Sequence, residues 1–97
     1  MGEDHGTTTM IYVDPLAMHG WCLRGQIVKS SHLFDDGNLE ELHQFAQRLG
    51  LKRTWFQPSS TPHYDLTASI RAKAIALGAQ EVDRRQAVTI WKAKSCG

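Results

Sequence analysis

The chain has 97 residues, of which 41% are hydrophobic and 22% are charged, a composition typical of one globular domain with a single core. It excludes a membrane-spanning segment, a collagen-like or coiled-coil rod, and a disordered chain. Eleven basic against ten acidic side chains give no electrostatic case for a duplex-binding surface, so neither nucleic acid nor a membrane is an expected partner.

Both ends of the chain are predicted to lie outside the folded domain. Residues 1–9 show no apolar periodicity, so we expect a flexible leader there, a single α/β domain over residues 10–94 and a tail over residues 95–97. Two cysteines, Cys22 and Cys96, do not make a disulfide framework. Because a secretory signal is also missing from the sequence, we expect free thiols and a cytoplasmic location.

The first elements are a strand and a short hairpin. Met10–Val13 is an unbroken apolar run ended by Pro15, the pattern of a strand buried on both faces of a parallel sheet. Trp21–Leu23 and Gln26–Val28 then flank a two-residue turn, Arg24-Gly25, which predicts a hairpin.

A helix is predicted over residues 39–49. Asn38 and Glu41 have capping-box spacing, apolar residues recur at intervals of three and four, and Gly50 ends the pattern. The aromatic and β-branched character of Lys52–Gln57 then predicts a strand.

Two more helices follow a polar loop over residues 58–65. Thr67 is the expected N-cap of the first, which Gly78 ends, and Asp83 with Gln86 repeats the capping signature at the start of the second. Residues 79–82 lie between them and predict a short strand. The resulting order, βαβαβα with a mainly parallel sheet, would gather the loops after the strands at one edge, where ligands bind in such folds.

The sharpest polar motif on that predicted edge is His63-Tyr64-Asp65. In an extended chain, residues two apart share a face, so His63 and Asp65 would lie together. An imidazole beside a carboxylate can act as an oriented general base or bind a divalent metal. We therefore take His63, Asp65 and Tyr64 as candidate catalytic residues, against the alternative that all three serve only the loop and the core.

His32 and Asp35 form a second pair, whose spacing of three would place both on one side of a helical turn. If this segment meets the His63 loop, the combined nitrogen and oxygen atoms suit zinc, manganese or iron. His32 and Asp35 are accordingly the candidate metal ligands.

An anion site is the third hypothesis. Arg71 lies close to the amides that begin the helix after Thr67, and Ser69 adds a hydroxyl. Either Arg71 pairs with a loop carboxylate, or these groups grip a phosphate or carboxylate together. Thr67, Ser69, Arg71 and Asp14, which follows the first strand at the same edge, are the candidate ligand-binding residues.

The chain resembles a family of short bacterial and phage proteins that is known only as a domain of unknown function. The resemblance rests on Tyr12-Val13-Asp14, Ser31-His32-Leu33, Glu41-Leu42-His43, Trp55-Phe56-Gln57 and His63-Tyr64-Asp65-Leu66. It covers about residues 10–85 and implies a single domain without implying a reaction.

Three functions follow as expectations. The first is a small cytoplasmic domain that binds an anionic, phosphate-bearing or nucleotide-like molecule at the His/Asp/Arg cluster. The second is a hydrolase that uses the same residues, either through a divalent metal or through a His/Asp general base. The third is a non-catalytic module that binds another protein.

Overall fold

A computed structural model describes residues 9–58 and 61–96. In these residues three strands come first, and three helices then alternate with two further strands. The strands are β1 (Ile11–Val13), β2 (Ala17–Leu23), β3 (Gln26–Asp35), β4 (Tyr64–Leu66) and β5 (Gln80–Glu81). The helices are α1 (Leu39–Arg48), α2 (Ala68–Ala76) and α3 (Arg84–Cys96), with a 3-10 turn at Arg53–Trp55.

The sheet is mixed and is organised around β3. Strands β1, β2 and β4 all pair antiparallel with β3, and β1 also pairs parallel with β5. A mixed α/β domain is therefore confirmed, but the predicted βαβαβα order and mainly parallel sheet are wrong. The reason is the hairpin, which returns the chain beside β1 before the first helix begins. Strand β3 therefore pairs antiparallel with β1, where the predicted order places a parallel strand that follows the first helix.

The hairpin is confirmed and is longer than predicted. Arg24 and Gly25 both have positive φ, 53° and 79°, as the tight two-residue turns that match strand twist require. Strand β3 then continues through polar residues as far as Asp35, a stretch without the apolar alternation that marks a strand in the sequence. Cys22, on β2, is exposed and forms no disulfide.

The strand predicted over Lys52–Gln57 is wrong, because this segment forms the 3-10 turn. Only Gln57 makes a bridge, exchanging backbone hydrogen bonds with His63. Pro58 follows directly and has no N–H to continue the ladder. The bridge nonetheless brings Gln57 beside β4.

Helix α1 begins at the predicted residue and ends at Arg48, one residue earlier than predicted, and its N-terminal partner is different. The Asn38 side chain accepts from the Glu40 amide at 2.8 Å, while the Asn38 amide donates to Thr9 Oγ1, also at 2.8 Å, and not to Glu41. Gly50 follows the helix with φ of 86°, a left-handed conformation that glycine adopts without strain. Thr9 thus contacts the domain, whereas the rest of the predicted leader lies outside the described residues.

The signals for the other helices are confirmed. Thr67 Oγ1 accepts from the Ile70 amide at the start of α2. Asp83 and Gln86 exchange two side-chain to backbone bonds, at 2.8 and 2.9 Å, at the start of α3. Because α3 runs to Cys96, the predicted tail over 95–97 is helical in its first two residues, and Gly97 lies outside the described part of the chain.

The two faces of the sheet have different coverings. The main core contains Val13, Leu33, Tyr64 and Leu66 from the strands with Leu42, Ala46 and Ala74 from α1 and α2. On the opposite face, the Trp91 ring of α3 lies 4.6 Å from the Phe34 ring and 5.9 Å from the His32 ring, centroid to centroid. His32 of β3 and Asp65, its register partner on β4, therefore lie on the α3 side.

Candidate metal centre

Three side chains converge on the α3 side of the sheet: His32, His63 and Asp65, here called the His–Asp cluster. His32 on β3 lies directly opposite Asp65 on β4, and His63 is two residues before Asp65, so all three share a face. Asp65 Oδ1 lies 3.9 Å from His32 Nε2 and 3.5 Å from His63 Nε2. One potential ligand atom from each residue lies within 4.8 Å of the other two.

Asp14 orients the His32 ring. Its Oδ2 lies 2.7 Å from His32 Nδ1, and because a carboxylate only accepts, Nδ1 is the donor. Its Oδ1 accepts from the His32 amide at 2.6 Å and from the Ser31 hydroxyl at 3.0 Å. In neutral His32 the lone pair is therefore on Nε2, the nitrogen that is close to Asp65.

A backbone carbonyl orients the His63 ring so that, as in His32, Nδ1 carries the proton. His63 Nδ1 lies 2.5 Å from the Thr61 carbonyl oxygen, which can only accept, so Nδ1 carries the proton. The Nε2 lone pair of His63 is then on the side of Asp65. The two imidazoles thus present the same kind of atom to one carboxylate oxygen.

Gln57 fixes the carboxylate. Its Nε2 donates to Asp65 Oδ2 at 2.6 Å, which leaves Oδ1 as the oxygen nearest both histidines. The side chains of His63, His32 and Asp65 are 13%, 19% and 28% exposed. The cluster is therefore largely shielded from water but has access to it.

The Asp14–His32 contact shifts the pKa values of both groups. The hydrogen bond to Asp14 raises the pKa of His32 above 6.5, more than burial lowers it, and the charges of Asp14 and Asp65 add to the rise. Burial raises the pKa of Asp14, but its hydrogen bonds with His32 outweigh this effect and hold that pKa below its usual value. These effects together outweigh the nearby charge of Arg84, which lowers the pKa of His32, so a proton on His32 is favoured.

The cluster matches the ligand chemistry of a divalent transition metal. Two imidazole nitrogens and one carboxylate oxygen form the ligand set of many catalytic zinc sites and of non-haem iron sites. With bonds of about 2.0–2.1 Å, tetrahedral ligand atoms lie about 3.3 Å apart. The distances from Asp65 Oδ1 to the two nitrogens, 3.5 and 3.9 Å, are close to this value, and all three ligand atoms lie within 4.8 Å of one another. Each ligand also has the outer hydrogen bond typical of such sites.

The structure separates two predicted site residues from this cluster. Asp35 is three residues from His32 on a strand and not on a helical turn, so the two side chains have opposite directions. Asp35 is fully buried and accepts from the Gly37 amide at 3.1 Å. Tyr64 lies on the core side of β4, 1% exposed, with its hydroxyl 2.6 Å from His43 Nδ1.

The predicted anion-binding residues make contacts within the protein. Arg71 Nε donates to the Asp14 backbone carbonyl at 2.9 Å, and its Nη2 lies 3.3 Å from Glu81 Oε1. Thr67 caps α2, and its Oγ1 lies 3.3 Å from the Ser69 hydroxyl. Of the two alternatives for Arg71, the geometry agrees with internal pairing, which holds the Asp14 backbone beside His32.

Sequence reasoning missed the roles of Gln57 and of the Thr61 carbonyl, and did not connect Asp14 with His32. Gln57 is eight residues from Asp65, and Asp14 is eighteen from His32, so no local spacing marks either pair. The only signal in the sequence is that these polar residues lie at or beside the ends of strands. That signal locates a site only when the strand pairing is known.

An apolar groove borders the cluster. It has a volume of about 950 Å³ and lies beside β4, between the segments that follow α1 and begin α2. Apolar lining residues include Leu49, Leu51, Trp55, Phe56, Pro58 and Ile70, and Gln57 and Asp65 also contribute. The groove and the His–Asp cluster therefore share Asp65.

Replacing Tyr64 by phenylalanine tests its placement. Loss of the hydroxyl removes the hydrogen bond to His43, so we expect the free energy of unfolding to fall by about 0.5–1.5 kcal/mol, measured by urea denaturation. Because Tyr64 is on the core side of β4, any metal affinity of the cluster should be unchanged. A large loss of metal affinity with intact stability would contradict this placement.

The fold and the cluster define a small mixed α/β domain with a His/His/Asp site between its sheet and its last helix. Comparison with known proteins places the chain in the DUF4031 family of proteins of unknown function, whose model matches residues 11–94. The chain belongs to this family. No curated protein and no solved structure matches it. Within the described residues, no helix has both the length and the apolarity needed to cross a membrane.

Proposed function

We propose that the protein is a metal-dependent hydrolase that holds one divalent transition metal ion, Zn²⁺ in the first instance, at His32, His63 and Asp65. The observation that carries the proposal is the convergence of two Nε2 atoms and one carboxylate oxygen, each residue being held by a separate hydrogen bond. Among the residues that the structure describes, the cluster contains three potential ligands. Sites that serve only to stabilise a fold are closed by four protein ligands, whereas three leave a position for water or substrate.

The proposed reaction is hydrolysis of an ester, phosphoester or amide bond. A bound divalent metal lowers the pKa of its water to about 7 and polarises the carbonyl or phosphoryl oxygen. The water oxygen forms a bond to the carbonyl carbon or phosphorus, the bond from that atom to the leaving oxygen or nitrogen breaks, and the leaving group departs with a proton from the water. The residues of the cluster hold the metal ion in position, and Asp65 contributes a negative charge.

This proposal also accommodates an anionic ligand. A phosphate or carboxylate group would bind at the open metal position, because Arg71 is already engaged by Asp14 and Glu81. The metal centre, and not the start of α2, is thus the proposed binding site for a negative group. The bacterial or phage origin and the cytoplasmic location remain predictions.

The metal-free alternative has less geometric support. A general base needs its partner carboxylate at the nitrogen that does not receive the substrate proton, but Asp65 lies at His63 Nε2 while Nδ1 bonds Thr61. Within the described residues, Asp14 and His32 have the dyad arrangement. That dyad also orients a metal ligand, which makes it consistent with the metal-dependent reaction.

The test is zinc binding by the full chain without an affinity tag, which calorimetry and elemental analysis measure. We expect one zinc ion per chain. Free zinc at 100 times its Kd should stabilise the fold by about 2.7 kcal/mol, which raises Tm by about 11–22 °C for a domain of this size. Absence of both stoichiometric zinc and a shift would overturn the proposal and favour the interaction-module hypothesis.

Replacing His63 by alanine should reduce zinc affinity by more than 100-fold, since loss of a direct ligand exceeds the 10–100-fold effect typical of outer-shell losses. His43→Ala is the matched control, because His43 is also partly buried but lies outside the His–Asp cluster. We expect zinc affinity to be retained in that variant. Equal losses in the two variants would show that zinc binds elsewhere.

The metal-free protein should show a pH dependence that comes from His32. Because its pKa is raised in the folded state, protonated His32 stabilises the fold below pH about 6.5, and this contribution is lost as pH rises through the folded-state pKa. Urea denaturation with a chelator should therefore show a smaller stability difference between wild type and His32→Gln at pH about 8.5 than at pH about 6. A difference that grows with pH would contradict the assignment.

A further inference from the structure

We infer that the apolar groove beside β4 binds the uncharged aromatic or alkyl group of the substrate, so that the hydrolysed bond lies next to an apolar group. This inference rests on the proposed hydrolase function. It narrows the substrate class from any ester, phosphoester or amide to one with a sizeable apolar substituent on one side of the bond.

The first argument is position. Asp65 belongs both to the His–Asp cluster and to the groove lining, and Gln57, which holds Asp65 Oδ2 at 2.6 Å, lines the groove as well. A group that lies in the groove is therefore next to a proposed metal ligand. Thr67, at the start of α2, also lines the groove.

The second argument is size. The groove volume, about 950 Å³, is at the upper end of the range of about 300–1,000 Å³ that is usual for small-molecule sites. An aromatic ring system or a medium-length alkyl chain fits within it. A water molecule or an inorganic phosphate alone would leave most of the apolar lining uncovered.

The third argument is charge. Among the lining residues, Asp65 is the only one with an ionised side chain, and its charge would be offset by the metal. Trp55 is 52% exposed although its ring is large and apolar, and it gains contact area if a ligand covers it. The mainly apolar and uncharged lining of the groove therefore suits an uncharged apolar group.

The experiment uses zinc-loaded full-length protein and two probes that carry the same metal-binding group. Acetohydroxamic acid has a methyl substituent and 2-naphthohydroxamic acid has a large aromatic one. We expect the naphthyl probe to bind at least about tenfold more tightly, equivalent to about 1.4 kcal/mol, as measured by calorimetry.

Trp55→Ala should reduce that ratio at least about threefold while zinc affinity is unchanged, because Trp55 lines the groove but is not a ligand. Met18→Ala is the control, since Met18 is similarly exposed, at 58%, and lies on β2 outside the groove. In this control variant the ratio should be that of the wild type.

The outcomes separate the two proposals. Zinc binding with equal affinities for the two probes, or a probe ratio that Trp55→Ala leaves unchanged, overturns the groove assignment and leaves the metal centre in place. Failure to bind zinc overturns the hydrolase proposal and, with it, this inference.

Discussion

Asp14→Asn is expected to weaken zinc binding by about 10- to 100-fold at pH about 7.5, although residue 14 is not itself a proposed ligand. Oδ1 of Asp14 accepts from both the His32 amide and the Ser31 hydroxyl, so the carbonyl oxygen of an asparagine would take that place. Its NH₂ group would then face His32 Nδ1 and force the proton onto Nε2. The nitrogen beside Asp65 would no longer offer a lone pair.

The control for this variant is Asp36→Asn. Asp36 is an exposed carboxylate that also accepts two hydrogen bonds, from the Met10 amide and the Tyr12 hydroxyl, but it is not part of the His–Asp cluster. Its replacement should leave zinc affinity unchanged. If Asp14→Asn bound zinc as tightly as wild type, His32 would not be oriented by Asp14 or would not be a ligand.

Leu33→Ala is expected to be the most destabilising of the substitutions considered, with a loss of about 2–5 kcal/mol in the free energy of unfolding. Leu33 is fully buried, and its register partners are Val13 on β1 and Tyr64 on β4. The cavity would therefore open where three strands meet. A domain of this size has only about 5–15 kcal/mol of stability in total.

Chemical denaturation of the metal-free protein measures this loss, and Met18→Ala again provides the comparison because that side chain is exposed. We expect Met18→Ala to lie within about 0.5 kcal/mol of wild type. Excess zinc should partly restore the stability of Leu33→Ala, since the cluster residues themselves are retained. A cost below about 1 kcal/mol would show that the site collapses around the smaller side chain.

The helices could be predicted from the sequence because their signals are local. Asn38, Thr67 and Asp83 begin them, and Gly50 and Gly78 follow the first two with positive φ. Strand order could not be predicted in the same way. A short apolar run such as Met10–Val13 has the same pattern in a parallel and in a mixed sheet. The part of β3 that follows Val28 lacks the alternation by which a strand is recognised.

The candidate site was predictable in part for the same reason. The alternation that places His63 and Asp65 on one face is a property of any extended segment, and the expected meeting of this segment with His32 agrees with the observed ring distance of 4.4 Å. Asp35 was misplaced because the spacing of three was interpreted for a helical turn. The contacts of Asp14 and Gln57 depend on long-range pairing that spacing does not encode.

The direct opposition of His32 and Asp65 across β3 and β4 has a consequence for folding accuracy. Strand β4 is only three residues long, and a shift of one residue against its neighbour would turn its polar side chains inward and its apolar ones outward. Such a misaligned molecule could not assemble the two imidazoles and the carboxylate around one ion. Metal binding would therefore stabilise only the molecules in which β4 has the correct register against β3.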